Sequence, residues 1–436
     1  MYYISSSLER IEHVMRDLYV AEDLGVSLDN EGSREYAKVS YPIRYGNYAR
    51  IMDTDYIYQF NLSGEIKFIQ GHTSAWPGNE WLKRTAANDW VYYSTEGYSS
   101  VHSLTGEYYL PCFSYSKNSI SAINPFETAT VKKALNSLEN LFVKIGRLCE
   151  DSAPREIRPF FRLVSRNDKE KLRSRSDELH EITGAPLTVL PPDTRHVDYD
   201  VIPIIIADGC LYNCGFCIVK TKQDFLVRSR DNITRQIEHL KNFYGQDLVN
   251  YNSIFLGQHD ALQAGADIIE FASVTAYEMF QFKNSIMKGA NLFFFGSIDS
   301  LLSSSEILYE SLNKSPFFTY INIGLESADQ ESLDILKKPV TADLVKDAFR
   351  RIADINRRFE RIEATANFVI GSMLPENHRS SIIDLAGNSS NRYSPKGTVY
   401  LSPLDNGEAV REIRKNIYRI KNHSRFPVYL YLMQRL

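Results

Sequence analysis

The sequence predicts an α/β protein. A parallel sheet of six strand–helix units is expected over residues 200–436, after an N-terminal α+β domain over 1–150 and a charged, proline-containing connector over 151–199. Three observations lead there. From Asp200 onward, short apolar runs alternate with amphipathic stretches, the order of a parallel sheet with helical crossovers. Those runs are almost continuously apolar, as expected of strands buried on both faces. The first third instead combines aromatic strand-like segments with one long amphipathic helix.

In the N-terminal domain, Leu8, Ile11, Val14, Met15 and Leu18 recur at helical spacing, with Ser6 and Glu9 as a capping box and Gly25 as a stop. The runs 56–60 and 66–70 flank Ser63-Gly64 and read as a hairpin. Trp76, Trp81 and Trp90 follow, with Tyr92, Tyr93 and Tyr98 behind them. This segment reads as the core of a small sheet, or as a platform for stacking a planar ring. Over 128–149, Val131, Ala134, Leu135, Leu138, Leu141, Phe142, Ile145 and Leu148 share one helical face. The connector carries Arg155, Arg158, Arg162, Arg166, Lys169, Lys171, Arg173 and Arg175. These read as a solvated face offset by Glu156, Asp168, Glu170 and Asp177.

Strands are expected at 201–207, 253–257, 291–295, 318–323, 364–370 and 397–401, with helices over 232–244, 264–283, 330–336, 342–359 and 409–421. Six units are too few for a full eight-unit barrel. The 436 residues, 43% hydrophobic and 24% charged, are ordinary for a globular chain. No apolar run approaches the ~18 residues of a membrane span, and the first residues lack a signal-peptide pattern. Five cysteines, three of them grouped, argue for a reducing compartment, so a cytoplasmic location is expected. A net charge of −4 offers no general attraction to nucleic acid.

The grouped cysteines are Cys210, Cys214 and Cys217, spaced C-x3-C-x2-C. A structural zinc site wants four Cys/His ligands, usually as two separated pairs, and Cys112 and Cys149 are distant in sequence. A [4Fe–4S] cluster normally takes four cysteines, so three leave one iron open, as catalytic metal sites do. An electron-transfer cluster and plain core thiols are the other readings.

The motif, with Phe216 between its last two cysteines, resembles that of the radical S-adenosylmethionine (SAM) enzymes. The resemblance extends over roughly residues 200–405 and implies the partial (β/α)6 parallel TIM-like barrel of that family. It also implies a [4Fe–4S] cluster held by Cys210, Cys214 and Cys217, with SAM as the second cofactor. Reductive cleavage of SAM to a 5′-deoxyadenosyl radical is the implied chemistry. Gly257-Gln-His-Asp260 stands where the family often has Gly-Gly-Glu at the SAM ammonium. Gly257 matches there, and Gln258 and His259 depart. Gly296-Ser-Ile-Asp299 is similar to the element whose carboxylate holds the ribose. Gly324-Leu-Glu-Ser327 begins a block closely similar to the family's, with Glu326 and Ser327 expected to face the ligand and Lys338 to meet the methionine carboxylate. Val369-Ile-Gly-Ser-Met-Leu-Pro375, including Ile370 and Gly371, is similar to the stretch lying against adenine.

His259 and Asp260 are the catalytic candidates, the histidine for its titration near neutral pH, and His378 and Arg379 are further candidates for substrate contact. A reduced flavodoxin or ferredoxin is the expected electron donor. The cluster is expected to be oxygen-sensitive and sheltered by the barrel, with the N-terminal domain as a lid. A small-molecule substrate is expected first and a tRNA- or rRNA-modifying role second. A non-catalytic electron-transfer or scaffold protein is third, disfavoured because no fourth cysteine is nearby.

Overall fold

The computed structural model describes residues 18–36, 44–95, 109–115, 120–121, 123–151, 153–189, 195–212, 214–217, 224–387, 395–404 and 410–436. The N-terminal part is an eight-stranded antiparallel meander in chain order. Its strands are β1 (Leu18–Ala21), β2 (Leu24–Glu31), β3 (Asn47–Met52), β4 (Tyr56–Phe60), β5 (Ile66–Gly71), β6 (Trp81–Arg84), β7 (Trp90–Ser94) and β8 (Leu110–Phe113). The expected first helix lies outside the described residues except for Leu18, which opens β1. Gly25 lies inside β2 instead of ending a helix, because the chain turns tightly at Glu22 and pairs Ala21 with Leu24. The hairpin expected around Ser63-Gly64 is the β4–β5 turn. Gly64 has φ +78°, and a Cβ there would meet Leu163 at 2.7 Å, so both conformation and space demand glycine.

The aromatic segment is sheet core. Trp76, Trp81 and Tyr92 are buried, and Trp76 meets Tyr56 edge-on at 6.3 Å. Three helices follow: α1 (Ala129–Asp151), α2 (Arg158–Ser165) and α3 (Lys169–Thr183). The apolar face foreseen over 128–149 packs into the same core through Val131, Ala134, Leu138, Leu141, Phe142, Ile145 and Leu148. Asp168 caps α3 by accepting from the Lys171 N–H, and Gly184 ends it at φ +83°.

The C-terminal part is a seven-stranded parallel sheet, an open, partial TIM-like barrel. Its strands are β10 (Ile202–Ile204), β13 (Ser253–Leu256), β14 (Ala290–Gly296), β15 (Phe317–Glu326), β16 (Ile362–Ile370), β17 (Val399–Pro403) and β18 (Val428–Leu430), adjacent in that order. The crossovers include α4 (Arg230–Tyr244), α5 (Ala266–Met279), α9 (Ala342–Arg358), α10 (Glu376–Gly387) and α11 (Val410–His423). The sheet has one strand more than the six expected. β18 is three residues long and follows Pro427, too short a pattern to read locally, and it pairs parallel with β17 through Val399 and Val428. A short antiparallel pair, β9 (Thr188–Val189) with β19 (Gln434–Arg435), leads from the β18 edge back towards Pro186, whose carbonyl accepts from Gln258 at 3.0 Å. Among the described residues no helix is long and apolar enough to cross a membrane.

The meander packs against the N-terminal ends of the first barrel strands. Just before β10, Asp200 meets Lys67 at 2.9 Å and Lys83 at 3.2 Å, while Asp198 meets Lys83 at 2.9 Å and the Tyr93 hydroxyl at 2.6 Å. Before β13, Asn250 accepts from the Asn47 N–H at 2.8 Å and donates back to its carbonyl at 3.0 Å. Before β14, the Lys288 N–H donates to the Arg34 carbonyl at 2.6 Å. Ligands of such sheets sit at the other, C-terminal strand ends. The expectation of an N-terminal lid is therefore corrected for the described residues: their sheet meets the barrel at its floor. Inside that floor His196 stacks on Tyr320 at 4.3 Å, and Tyr320 on Phe293 at 5.0 Å.

Candidate active site

The cysteine loop is fixed at both ends. Its base is a two-stranded ribbon, β11 (Ala207–Asp208) against β12 (Leu226–Val227), riveted by Arg228 donating to both Asp208 oxygens at 2.8 and 2.6 Å. Gly209, at φ +79°, turns the chain into Cys210. Past Cys214, the Gly215 N–H donates to the Leu336 carbonyl at 3.0 Å. Phe216 then packs on the cluster of Leu336, Val369 and Leu374. Cys210, Cys214 and Cys217 line one cavity of about 610 Å³ at the C-terminal strand ends. Burial raises the Cys210 thiol and pushes the Cys214 thiol up to about 11, with Lys338 working the other way on both. Cys112 and Cys149 lie elsewhere: the first lines a separate cavity beside β8, and the second contacts the Arg158 carbonyl.

After β13, His259 and Asp260 both line the cavity. Burial lowers the His259 imidazole against the pull of Asp208. Asp260 is 4% exposed. Its Oδ1 accepts from the Ser300 hydroxyl at 2.8 Å and the Ser297 N–H at 3.1 Å, while its Oδ2 is buried without a partner. Burial raises this carboxyl despite those bonds. Gly257 is set back from the cavity, its N–H held by the Ile204 carbonyl at 3.0 Å. Asp299, in α6 (Ile298–Ser303), is exposed and also off the cavity wall. Its Oδ2 accepts from the Tyr212 hydroxyl at 2.7 Å, so it reaches the cavity through Tyr212, which does line it.

After β15, Glu326 lines the cavity in a left-handed backbone conformation, φ +66°. Its carboxylate folds back over Gly324, where a Cβ would meet Oε1 at 2.6 Å. Lys338 stands 3.5 Å from that oxygen and 4.9 Å above the Tyr212 ring. Ser327 points away from the cavity: its hydroxyl donates to His378 Nδ1 at 2.8 Å and accepts from the Asp329 N–H at 3.0 Å. His378 Nε2 in turn donates to the Val369 carbonyl at 2.8 Å. Ile370 and Gly371 are backbone anchors behind the wall, their carbonyls accepting from Leu404 and Leu374, and Val369 is the residue of that stretch that lines the cavity. Arg379 donates to Asn416 at 3.0 Å.

Several lining residues were not singled out in the sequence: Tyr212, Ser297, Asn322, Asn367, Ser402 and Tyr431. A usable signal existed for two of them, since Asn322 and Asn367 interrupt otherwise apolar parallel strands, where a polar residue has only the barrel interior to face.

The donor set fits a polynuclear cluster. Three thiols share one wall, with no fourth cysteine beside them. Among the described residues no three Cys, His, Asp or Glu side chains converge on a point suited to a single ion, which the separate corners of a cubane do not require. Asp260, whose Oδ2 is buried without a partner, lines the same cavity.

Comparison with known proteins agrees with this class. Residues 204–386 match the model of the Radical SAM superfamily, so this part of the chain is similar to the radical SAM domain. A probable threonylcarbamoyladenosine tRNA methylthiotransferase of Methanocaldococcus jannaschii is 23% identical over 172 residues, 39% of this chain and 38% of that protein. Among solved structures, the cobalamin-dependent SAM radical enzyme OxsB has a TM-score of 0.33 at 16% identity, over 53% of this chain and 33% of that one. A radical SAM methyltransferase from Sphaerobacter thermophilus has 0.34 at 14%, over 66% and 92%. The chain thus spans well under half the length of the first two of these relatives.

Proposed function

We propose that the protein binds a [4Fe–4S] cluster through Cys210, Cys214 and Cys217, binds SAM beside it, and abstracts hydrogen from a small-molecule substrate. The observation that carries this reading is the meeting of three cysteine thiols with Asp260, Glu326 and Lys338 on one cavity at the strand ends. When bound, the cluster supplies one electron for reductive cleavage of SAM to a 5′-deoxyadenosyl radical. The chain's residues hold and orient. Asp260, braced by Ser297 and Ser300, meets the ammonium of SAM. Lys338, balanced by Glu326, meets its carboxylate. Phe216 and Val369 offer apolar contact to the adenine, and Tyr212 with Asp299 hydrogen-bonds the ribose. His259, kept neutral by burial, is available to hold or move a proton. A reduced flavodoxin or ferredoxin serves as donor in a reducing, cytoplasmic setting, in keeping with five unbridged cysteines.

The tRNA-modifying relative makes an RNA substrate the second reading. Against it, Asn167 donates to the Ser63 carbonyl of the β4–β5 turn at 2.8 Å and Arg175 to the Phe243 carbonyl at the end of α4 at 2.6 Å, so this part of the basic run lies beside the barrel floor. The deciding experiment is 5′-deoxyadenosine formation by anaerobically reconstituted protein given SAM and dithionite, with the triple Cys-to-Ala variant as control. Product from the wild type alone is expected. Its absence from a preparation verified to hold about four irons would favour a plain electron-transfer cluster.

A further inference from the structure

The charged residues of the cavity gather on its cysteine side. Lys337 lies against Gly215, Glu326 pairs with Lys338, and Asp260 lines the cavity with Cys210. Among the described residues, the remaining lining, with Asn322, Asn367, Ser402, Leu404, Tyr431 and Met433, carries no formal charge. Asn322 and Asn367 are 4% and 6% exposed, on adjacent strands β15 and β16. Asn322 Nδ2 donates to Thr365 Oγ1 at 2.7 Å and to Asn367 Oδ1 at 3.2 Å. Both hydrogens of that amide are then used, leaving Asn322 Oδ1 as a free acceptor and Asn367 Nδ2 as a free donor on the cavity wall. Exchanging oxygen and nitrogen in both side chains reverses the roles and still leaves one acceptor and one donor. The pair therefore presents a complementary edge regardless of the amide assignment.

We propose that this asparagine pair selects a substrate carrying an uncharged amide or lactam edge, which gives one N–H to the free carbonyl and accepts from the free NH2. The proposal rests on the reading of the cavity as a radical SAM site. A carboxylate brings acceptors only, so the free carbonyl faces another oxygen instead of a donor. An ammonium brings donors only. Each leaves one buried asparagine group unpaired, and that mismatch is what rejects it.

The test uses reconstituted holoprotein with SAM and matched probes: nicotinamide against nicotinate, benzamide against benzoate and benzylamine, and 2-pyrrolidone, followed by ligand-observed NMR titration. At least one amide is expected to bind about tenfold or more tighter than its charged partners. Asn367→Asp, which keeps the volume and removes the donor, should abolish that preference. Asn322→Leu should weaken the amide alone, with iron content measured alongside to register folding. Equal binding of the three classes, a preference that survives Asn367→Asp, or no amide bound would overturn the proposal. If the wild type forms 5′-deoxyadenosine and shows no amide preference, this inference alone fails. If it forms none, the reading beneath it fails.

Discussion

Glu326 and Lys338 hold each other at 3.5 Å inside the cavity, with side chains 13% and 4% exposed. Burial raises the Glu326 carboxyl and Lys338 opposes that rise. The positive φ of Glu326 and the bare Cα of Gly324 are the backbone conditions for the pair. Lys338→Met should weaken SAM binding about 10- to 100-fold, the loss of one charge-assisted contact, while iron content stays near that of the wild type. Equilibrium dialysis of reconstituted protein checks this, and an unchanged affinity would remove Lys338 from the site.

Asp260→Asn keeps the shape and the Ser300 contact but removes the charge behind the unpartnered Oδ2. SAM affinity should fall by about tenfold or more. S-adenosylhomocysteine retains the same ammonium and should lose a similar factor. Selective loss for SAM alone would assign Asp260 elsewhere.

Cys214→Ala should prevent assembly of the cluster, read as loss of iron and of its visible absorbance. Cys149→Ala should leave both unchanged, since that thiol sits on α1 against the Arg158 carbonyl. Full iron in the first variant would contradict the ligand assignment.

His378 locks the ends of β15 and β16 through Ser327 and Val369. Burial lowers its imidazole below the ordinary 6.5. Below that pH the unfolded chain takes up a proton that the folded histidine resists, so its contribution to stability is complete at neutral pH and is lost as pH falls. Wild type should therefore lose more thermal stability than His378→Gln between pH 7 and 5. Parallel melting curves would show this as a narrowing gap between the two, and a constant gap would contradict it.

Lys83 is fully buried between Asp198 and Asp200. Lys83→Met leaves Asp198 buried with no cation, while Asp200 keeps Lys67, and should cost about 3–5 kcal/mol, measured by urea denaturation. A cost below about 1 kcal/mol, the range of surface pairs, would mean that the interface does not depend on this pair.

The cysteine loop was legible because its signal is local: three thiols within eight residues, followed by chemistry at successive strand ends. Ser327, Gly257, Asp299, Ile370 and Gly371 stand off the cavity wall itself, Asp299 reaching it through Tyr212. Motif position brings each close to the cavity but not which way it faces. Ser327 is turned outward by a histidine 51 residues later, a partner no local pattern reveals. The Asn322–Asn367 pair forms only once β15 and β16 lie side by side. β18 was missed for its brevity, and the lid was misjudged because the docking of the meander rests on contacts such as Asn47 with Asn250, far apart in the chain.

Those contacts also set a timetable. Asn47 precedes its partner by 203 residues. At about 5–20 residues per second of synthesis, the last strand of the meander, ending at Phe113, precedes Asp198 by roughly 4–17 s and Asn250 by roughly 7–27 s. Through that interval Lys67, Lys83 and Tyr93 have no aspartates to meet, and the face that carries them is wet. The emerging sheet is thus half of an interface waiting for its other half, and the barrel, once begun, folds onto a floor already laid.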